Sequence, residues 1–371
     1  MTAREATLRT LSGIKTDVIP AGLFTWGYNY IWKTAGLKPW RLALGGRETW
    51  HAAHMSLYER HRPDLILYEG AGSGPNDPLL TGEDGENWFV TDTNGGGEYV
   101  MIKSSGTLYE KNSRHKPNDS LGEINCAVDA DKLCKPFTGW GDAYLTGLSR
   151  LIGELGERSL VIPHHSPSYI VACYAFGFEP AMIAMKEDPD LFQYVMDIYQ
   201  ANTDLRMRQL REAGAEAVFI ADGWSSADIV SPELFERFCF PSLYAILQAA
   251  NDAGLKTILW DEGDIKPQLG RLSDLPLDAF TAEQPRKGAG LSITDLCGAF
   301  KGRCVLGNLD SEEMLLSGDA SRIERETRRQ IAEAAGNPYI TFTGSPLPDD
   351  ADPDCVDIII NAAKDYRKPK G

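Results

Sequence analysis

A chain of 371 residues with 37 Lys and Arg against 53 Asp and Glu carries a formal charge of −16, which disfavours nucleic acid and anionic membrane as partners because both need a basic footprint. Hydrophobic residues at 43% and charged residues at 24% argue against disorder. No apolar run approaches the ~20 residues of a membrane span, the first residues show no signal-peptide core, and seven cysteines without a C-x-x-C pair fit a reducing compartment, so a cytoplasmic protein is expected.

In chain order, short apolar β-type runs recur, each followed by a helical stretch. They are Val18–Phe24, Leu65–Tyr68, Leu160–Ile162, Ala217–Ile220, Lys256–Leu259, Ala279–Thr281, Cys304–Leu306 and Tyr339–Phe342. Most are continuous rather than alternating, as strands buried on both faces of a parallel sheet should be. Between them, Asp188-Pro189-Asp190 starts a helix predicted to run to Gly214, and Ser231-Pro232-Glu233 starts one ending near Gly254. Eight strand–helix units in order predict an α/β fold, a closed (β/α)8 TIM barrel. An open doubly wound sheet is disfavoured because no G-x-G-x-x-G follows the first strand.

One region departs from this rhythm. Over residues 82–139 the chain reads as hairpins: Trp88–Thr91, a turn at Asn94–Gly97, then Tyr99–Lys103 and Ser104–Gly106. A β-hairpin insertion after the second strand explains a length above the ~250 residues usual for a barrel, and residues 1–371 are expected to form one domain. The insertion should lie over the C-terminal mouth, as a lid or as a structural flap.

The strand ends are where a barrel places its chemistry. They carry Trp26, Tyr28 and Tyr30 after the first run, Glu69 after the second, and His164 and His165 after the third. Asp222 and Trp224 follow the fourth, Trp260, Asp261, Glu262 and Asp264 the fifth, Glu283 and Gln284 the sixth. Asn308 and Asp310 follow the seventh and Ser345 the eighth. Crowded carboxylates with few cations should have raised pKa values, bind a metal, or face a cationic or hydrogen-bond-donating ligand. Strand-end acids also cap helices, which is the structural reading of Asp222 and Asp310. Adjacent histidines on a strand point to opposite faces, so only one of His164 and His165 should look into the mouth. Trp224 and Trp260 either close the barrel end or form a wall suited to planar or quaternary-ammonium ligands.

These residues resemble the uroporphyrinogen decarboxylase superfamily, which holds porphyrinogen decarboxylases and corrinoid-dependent methyltransferases on a (β/α)8 barrel. The opening REATLRTLSGIKTDVIP, AGAEAVFIADGW with SPELFERFCFPSL, NDAGLKTILWDEGDI, CVLGNLDSEEMLLSG and PDDADPDCVDIIINAAKDY are similar to family segments in the same order. The thiol-activating methyltransferases hold zinc with His-x-Cys at the fifth strand end and Cys after the eighth. The matching positions here are Trp260, Glu262 and Ser345, so no thiolate zinc site is expected. A harder site from Glu262 with a histidine stays open, but no metal is assigned. The decarboxylases bind substrate carboxylates with an Arg-rich segment, where this chain has Lys33-Thr34-Ala35-Gly36-Leu37. Their second-strand Asp corresponds to Glu69 and a later His to Ser345.

The resemblance therefore implies a methyltransferase moving a methyl group from a small O-, N- or S-methyl donor to a corrinoid (cobalamin) carried by a partner protein. Candidate catalytic residues are Glu69, Asp222, Glu262, His164 and His165. Candidate substrate-binding residues are Trp26, Tyr28, Lys33, Trp224, Trp260, Asp261, Glu283, Asn308 and Ser345. A homodimer is also suggested. Two alternatives remain: a carboxy-lyase acting on a smaller acid, with Lys33 holding the carboxylate and Glu69 handling the proton, and a non-catalytic small-molecule sensor.

Overall fold

The computed structural model describes residues 1–70, 78–93, 97–103, 106, 108–111, 120–287, 290–334 and 336–366. Eight parallel strands pair in the order β1 (Gly22–Leu23), β2 (Leu65–Tyr68), β7 (Leu160–His165), β8 (Ala217–Asp222), β9 (Lys256–Asp261), β10 (Ala279–Ala282), β11 (Cys304–Leu306) and β12 (Tyr339–Ile340). A parallel bridge from Ala21 to Thr341 joins the two ends, with Gly22 N–H donating to the Thr341 carbonyl at 2.9 Å and Thr341 N–H to the Pro20 carbonyl at 2.8 Å. All eight apolar runs are barrel strands. The first is shorter than its apolar run, since Pro20 has no N–H to give a ladder.

Side chains alternate across the wall. Phe24, Leu65, Leu67, Leu160, Ile162, Phe219, Ala221, Ile258, Trp260, Leu306 and Phe342 fill the inside as one buried cluster, and Leu8 and Leu11 of the helix Ala3–Leu11 join it. Ile66, Val161, Val218, Ile220, Leu259, Phe280 and Val305 face the helices and belong to the outer core. This partition decides which strand-end residues share the mouth.

The insertion is an antiparallel sheet of β3 (Pro78–Glu83), β4 (Asn87–Asp92), β5 (Glu98–Ile102) and β6 (Leu108–Glu110). Its Val90 and Met101 pack on Trp40 and Leu44. It begins four residues earlier than expected and its strands end at Glu110. Ala127–Leu133 is a helix instead, started by Asp129, whose carboxylate accepts from Asn125 N–H at 3.1 Å and from Cys126 Sγ at 3.3 Å. Of the expected turns, Asn94–Gly96 and Ser104–Ser105 lie outside the described residues.

The other correction concerns the helix from Asp188. Asp188 caps it as expected, accepting from Leu191 N–H at 3.1 Å, but it stops at Gln200 and restarts at Thr203. Asn202 adopts a left-handed φ of 63°, a conformation Asn tolerates better than most residues. The buried Arg206 donates to the Tyr199 carbonyl at 2.9 Å, covering one group that the break leaves open.

Candidate active site

The inward set continues past the strand ends, and it is this set that meets at the C-terminal mouth. Counting by two from Leu65 and Leu67 brings Glu69 inward, and from Leu160 and Ile162 brings His164. Their side chains approach to 3.4 Å, His164 Nδ1 to Glu69 Oε1. Trp26 lies over His164 with ring centroids 4.8 Å apart and meets Trp260 at 6.4 Å. Trp260 is fixed by its indole N–H, which donates to the Gly344 carbonyl at 2.8 Å. Glu283 accepts from Gly263 N–H at 3.2 Å and from the Ser345 hydroxyl at 3.4 Å. Trp26, Trp224, Trp260, Tyr174, Ser166 and Glu262 line a cavity of about 240 Å³.

Burial sets the charge state of this mouth. It pushes Glu69 up to about 8, against a backbone hydrogen bond from Gly27 that lowers it. Burial also pushes His164 down to about 4. Glu262 rises to about 7, first through desolvation, then through the neighbouring carboxyls of Glu283 and Asp222, with Lys287 pulling the other way. At neutral pH Glu69 is therefore a carboxylic acid, His164 an uncharged imidazole, and Glu262 is poised to ionise. No Lys or Arg is among the described residues lining the cavity.

The outward set makes a different environment. Asp222 and Asp261 are register partners on β8 and β9, both fully buried. Following Val218 and Ile220, and Leu259, they face the helix layer. Tyr169, Cys173 and Cys239 are their neighbours there. Burial raises both, Asp222 to about 6, and for Asp261 the Asp222 carboxyl adds to the rise. Asp222 accepts from Trp224 N–H at 3.3 Å, so it orders the turn that carries Trp224, in line with the capping reading. His165 packs against Trp140 and Phe137, at 5.4 Å and 6.2 Å between ring centroids. Its Nδ1 accepts from Ser166 N–H at 2.8 Å, and burial pushes it down to about 3. Asn308 is consumed by a bracket: it donates to the Leu291 carbonyl at 3.0 Å and accepts from Gln330 at 3.2 Å.

The expected site thus divides. Trp26, Trp224, Trp260 and Glu262 line the cavity, and His164 against Trp26, Glu69 against His164, and the pair of Glu283 and Ser345 near Glu262 stand next to it. Asp222, Asp261 and His165 lie on the other face of the wall, and the Asn308 amide turns to Leu291 and Gln330. Tyr28 donates its hydroxyl to the Gly106 carbonyl of the insertion, and the Lys33 ammonium is held by the Ala351 carbonyl at 3.0 Å; neither lines the cavity. Three of the residues named here were not foreseen, the first being Ser166, which follows His165 and lines the cavity. Tyr174, from the helix Ser168–Phe176, lines the cavity and leans on Trp224 with centroids 4.7 Å apart. His54 accepts from Glu69 N–H through Nε2 at 3.2 Å while its Nδ1 reaches the Trp50 carbonyl at 2.8 Å. That pattern requires the proton on Nδ1, so His54 anchors the Glu69 backbone as a neutral ring.

A thiolate zinc centre does not fit the mouth. Trp260 has no metal-binding atom to offer, with its N–H given to Gly344, and Ser345 is an alcohol turned to Glu283. Among the described residues, no three His, Cys, Asp or Glu side chains are arranged to hold a metal ion.

Comparison with known proteins agrees with this architecture. The family model for uroporphyrinogen decarboxylase (URO-D) matches residues 127–366. A uroporphyrinogen decarboxylase of Jannaschia sp. is 27% identical over 58% of this chain and 62% of its own, and that of Syntrophotalea carbinolica is 28% identical over 51% and 54%. The chain therefore spans between half and two thirds of these relatives' lengths. A methylcobamide:CoM methyltransferase, MtaA, of Methanosarcina barkeri is 28% identical over 38% of this chain and 39% of its own. In structure, a methyltransferase from Methanosarcina mazei superposes with a TM-score of 0.74 at 17% identity over 99% of both chains, and so shares the fold. With its family segment covering well over half its length and folded as the C-terminal strands of an eight-stranded barrel, the chain belongs to the uroporphyrinogen decarboxylase family.

Proposed function

We propose that this chain moves a methyl group from a small methylated donor, held in the tryptophan-lined mouth, to a reduced corrinoid carried by a partner protein. The observation that carries the reading is the charge and shape of the mouth: aromatic walls, carboxyls, a neutral imidazole, and no guanidinium or ammonium among the described lining residues. Such a site is poorly matched to a carboxylate-rich tetrapyrrole, whose recognition calls for Arg clamps. The likeness to a methylcobamide:CoM methyltransferase supports methyl chemistry on this barrel.

A corrinoid in its cobalt(I) state supplies the nucleophile, so the residues of this chain have two tasks. Trp26, Trp224 and Trp260 orient the methyl group for in-line transfer, and restricting its approach lowers the entropic part of the barrier. The acids manage the leaving group. Glu69 keeps a proton up to a pH near 8 and is the acid we assign to protonate a departing oxygen, while Glu262 can hold positive charge on the donor. Asp222 acts through the turn it caps, and His54 through the backbone of Glu69. We place the protein in the cytoplasm, acting as one domain and pairing as a homodimer.

A carboxy-lyase acting on a smaller acid is the second reading, favoured by the family match itself. One experiment separates them. Under anaerobic conditions, protein is mixed with cob(I)alamin and a panel of methoxyarenes, methylamines, quaternary methylammonium ions and methyl thioethers. Growth of the methylcobalamin spectrum supports methyl transfer. Carbon dioxide release from a carboxylic acid, with no methylcobalamin from any donor, contradicts it.

A further inference from the structure

The mouth is made of two kinds of group, and both suit a positive charge. Three tryptophans and a tyrosine line it, with Glu262 as the acid among the described lining residues. Aromatic faces attract cations through their quadrupoles, and more strongly where water is excluded. Glu283 stands close enough to Glu262 for the two carboxyls to repel. Lys287 is a cation within reach of Glu262, and it is already paired with Glu312. A neutral ligand would leave that repulsion in place, and an anion would add to it. A cation relieves it.

Chemistry narrows the class, and a cavity of about 240 Å³ has room for a compact methylated head group. A primary ammonium loses several water hydrogen bonds on entering aromatic walls, whereas a fully methylated nitrogen has none to lose. The acceptors that such a primary ammonium would need are scarce: both oxygens of the Glu283 carboxyl already accept, one from Gly263 and one from Ser345.

We propose that the ligand of this pocket is a small quaternary methylammonium ion, its charge held between the tryptophan rings and Glu262. The proposal deepens the methyl-transfer reading and rests on it for the step that follows binding. One C–N bond breaks, its electron pair stays on nitrogen, and the nitrogen leaves as a neutral tertiary amine. The methyl carbon accepts the electron pair of cobalt(I), which becomes methyl-cobalt(III). No proton is consumed, so Glu69 has no acid role with this donor.

The test compares choline with 3,3-dimethylbutan-1-ol, the same shape with carbon in place of charged nitrogen, by titration calorimetry at fixed ionic strength without corrinoid. Choline should bind at least ~10-fold tighter than the alcohol. Glu262→Gln and Trp224→Leu, each checked for folding by circular dichroism, should each weaken choline by ~10-fold and leave the alcohol within about twofold. Equal affinity for the two ligands, no choline binding, or choline binding unmoved in both variants would overturn the proposal. Choline binding with no methylcobalamin formed would uphold it and remove the methyl-transfer reading. Methylcobalamin from an uncharged methoxy donor, with no choline binding, would do the reverse.

Discussion

The two faces of the barrel wall at the same strand ends make two different chemical environments from similar residues. On the inner face Glu262 lines a cavity open to a ligand, with the Glu283 carboxyl near it and Glu69 against His164. On the outer face, one residue away in sequence, Asp261 and its register partner Asp222 are sealed under helices with fully buried carboxyls. Asp261 and Glu262 are chain neighbours with opposite surroundings. Position along the strand brings acids to the mouth end, but the pleat decides which of them can meet a substrate and which only load the fold.

The largest effect expected from this contrast is on turnover. Glu262→Gln should lower kcat/KM for methyl transfer to cob(I)alamin by roughly 10²-fold, within the range of a positioned acid or counter-charge, while the protein stays folded. Glu69→Gln keeps an uncharged hydrogen-bonding group, so with a quaternary ammonium donor it should cost less than about tenfold, since no proton is drawn from it. A loss at Glu69 equal to that at Glu262 would point to a donor with an oxygen leaving group. Both are read by the rate of methylcobalamin appearance.

A smaller effect, on stability, should come from the outer face. Asp222 and Asp261 are both raised above their unfolded values, so the folded protein holds protons that the unfolded chain gives up. Their contribution is fully favourable below the unfolded carboxyl pKa and is lost as pH rises through the folded values, the lower near 6 for Asp222. Asp261→Asn removes this penalty and should stabilise the protein at pH 8 by about 2 kcal/mol relative to wild type, with little change at pH 4. Urea denaturation at the two pH values measures it. An equal shift at both would mean that the pair does not carry the charge load.

Binding of a cation should follow pH through Glu262. Its carboxyl, raised to about 7 by burial with Glu283 and Asp222, and lowered by Lys287, ionises as pH climbs. Choline affinity should therefore rise between pH 6 and 8 by a few-fold, and Glu262→Gln should flatten the curve. The smallest effect is expected at Lys33. Its ammonium is tied to the Ala351 carbonyl, so Lys33→Gln should move KM by less than about twofold and stability by roughly 0.5 kcal/mol. A large rise in KM for an acid substrate would instead favour the carboxy-lyase.

The barrel was legible in the sequence because parallel strands buried on both faces must be apolar without interruption, and helices between them leave cap signals such as Ser231, whose hydroxyl accepts from Leu234 N–H. The site was only half legible. Period-two alternation separates His164 from His165, and the structure places them on opposite faces. Extended to the fourth and fifth strands, the same rule sets Asp222 and Asp261 apart from Glu262. It would bring Asn308 inward from Leu306, whereas past the strand end the Asn308 amide turns to Leu291 and Gln330. Applying it needs the register of each strand, which continuous apolar runs do not reveal. Tyr174 and His54 lie on helices, where the side that meets the mouth depends on how each helix rolls against the wall. The helix carrying Tyr174 is apolar nearly all round, with seven of its nine residues buried, and offers no stripe from which to read that roll.

The most direct test of the central claim compares three proteins in one anaerobic assay with cob(I)alamin and a quaternary methylammonium donor: wild type, Glu262→Gln and Asp261→Asn. If the inner face carries the chemistry, wild type and Asp261→Asn form methylcobalamin at rates within about threefold of each other, and Glu262→Gln falls by roughly 10²-fold. Loss of activity in Asp261→Asn with Glu262→Gln unaffected, both proteins being folded, would contradict the account.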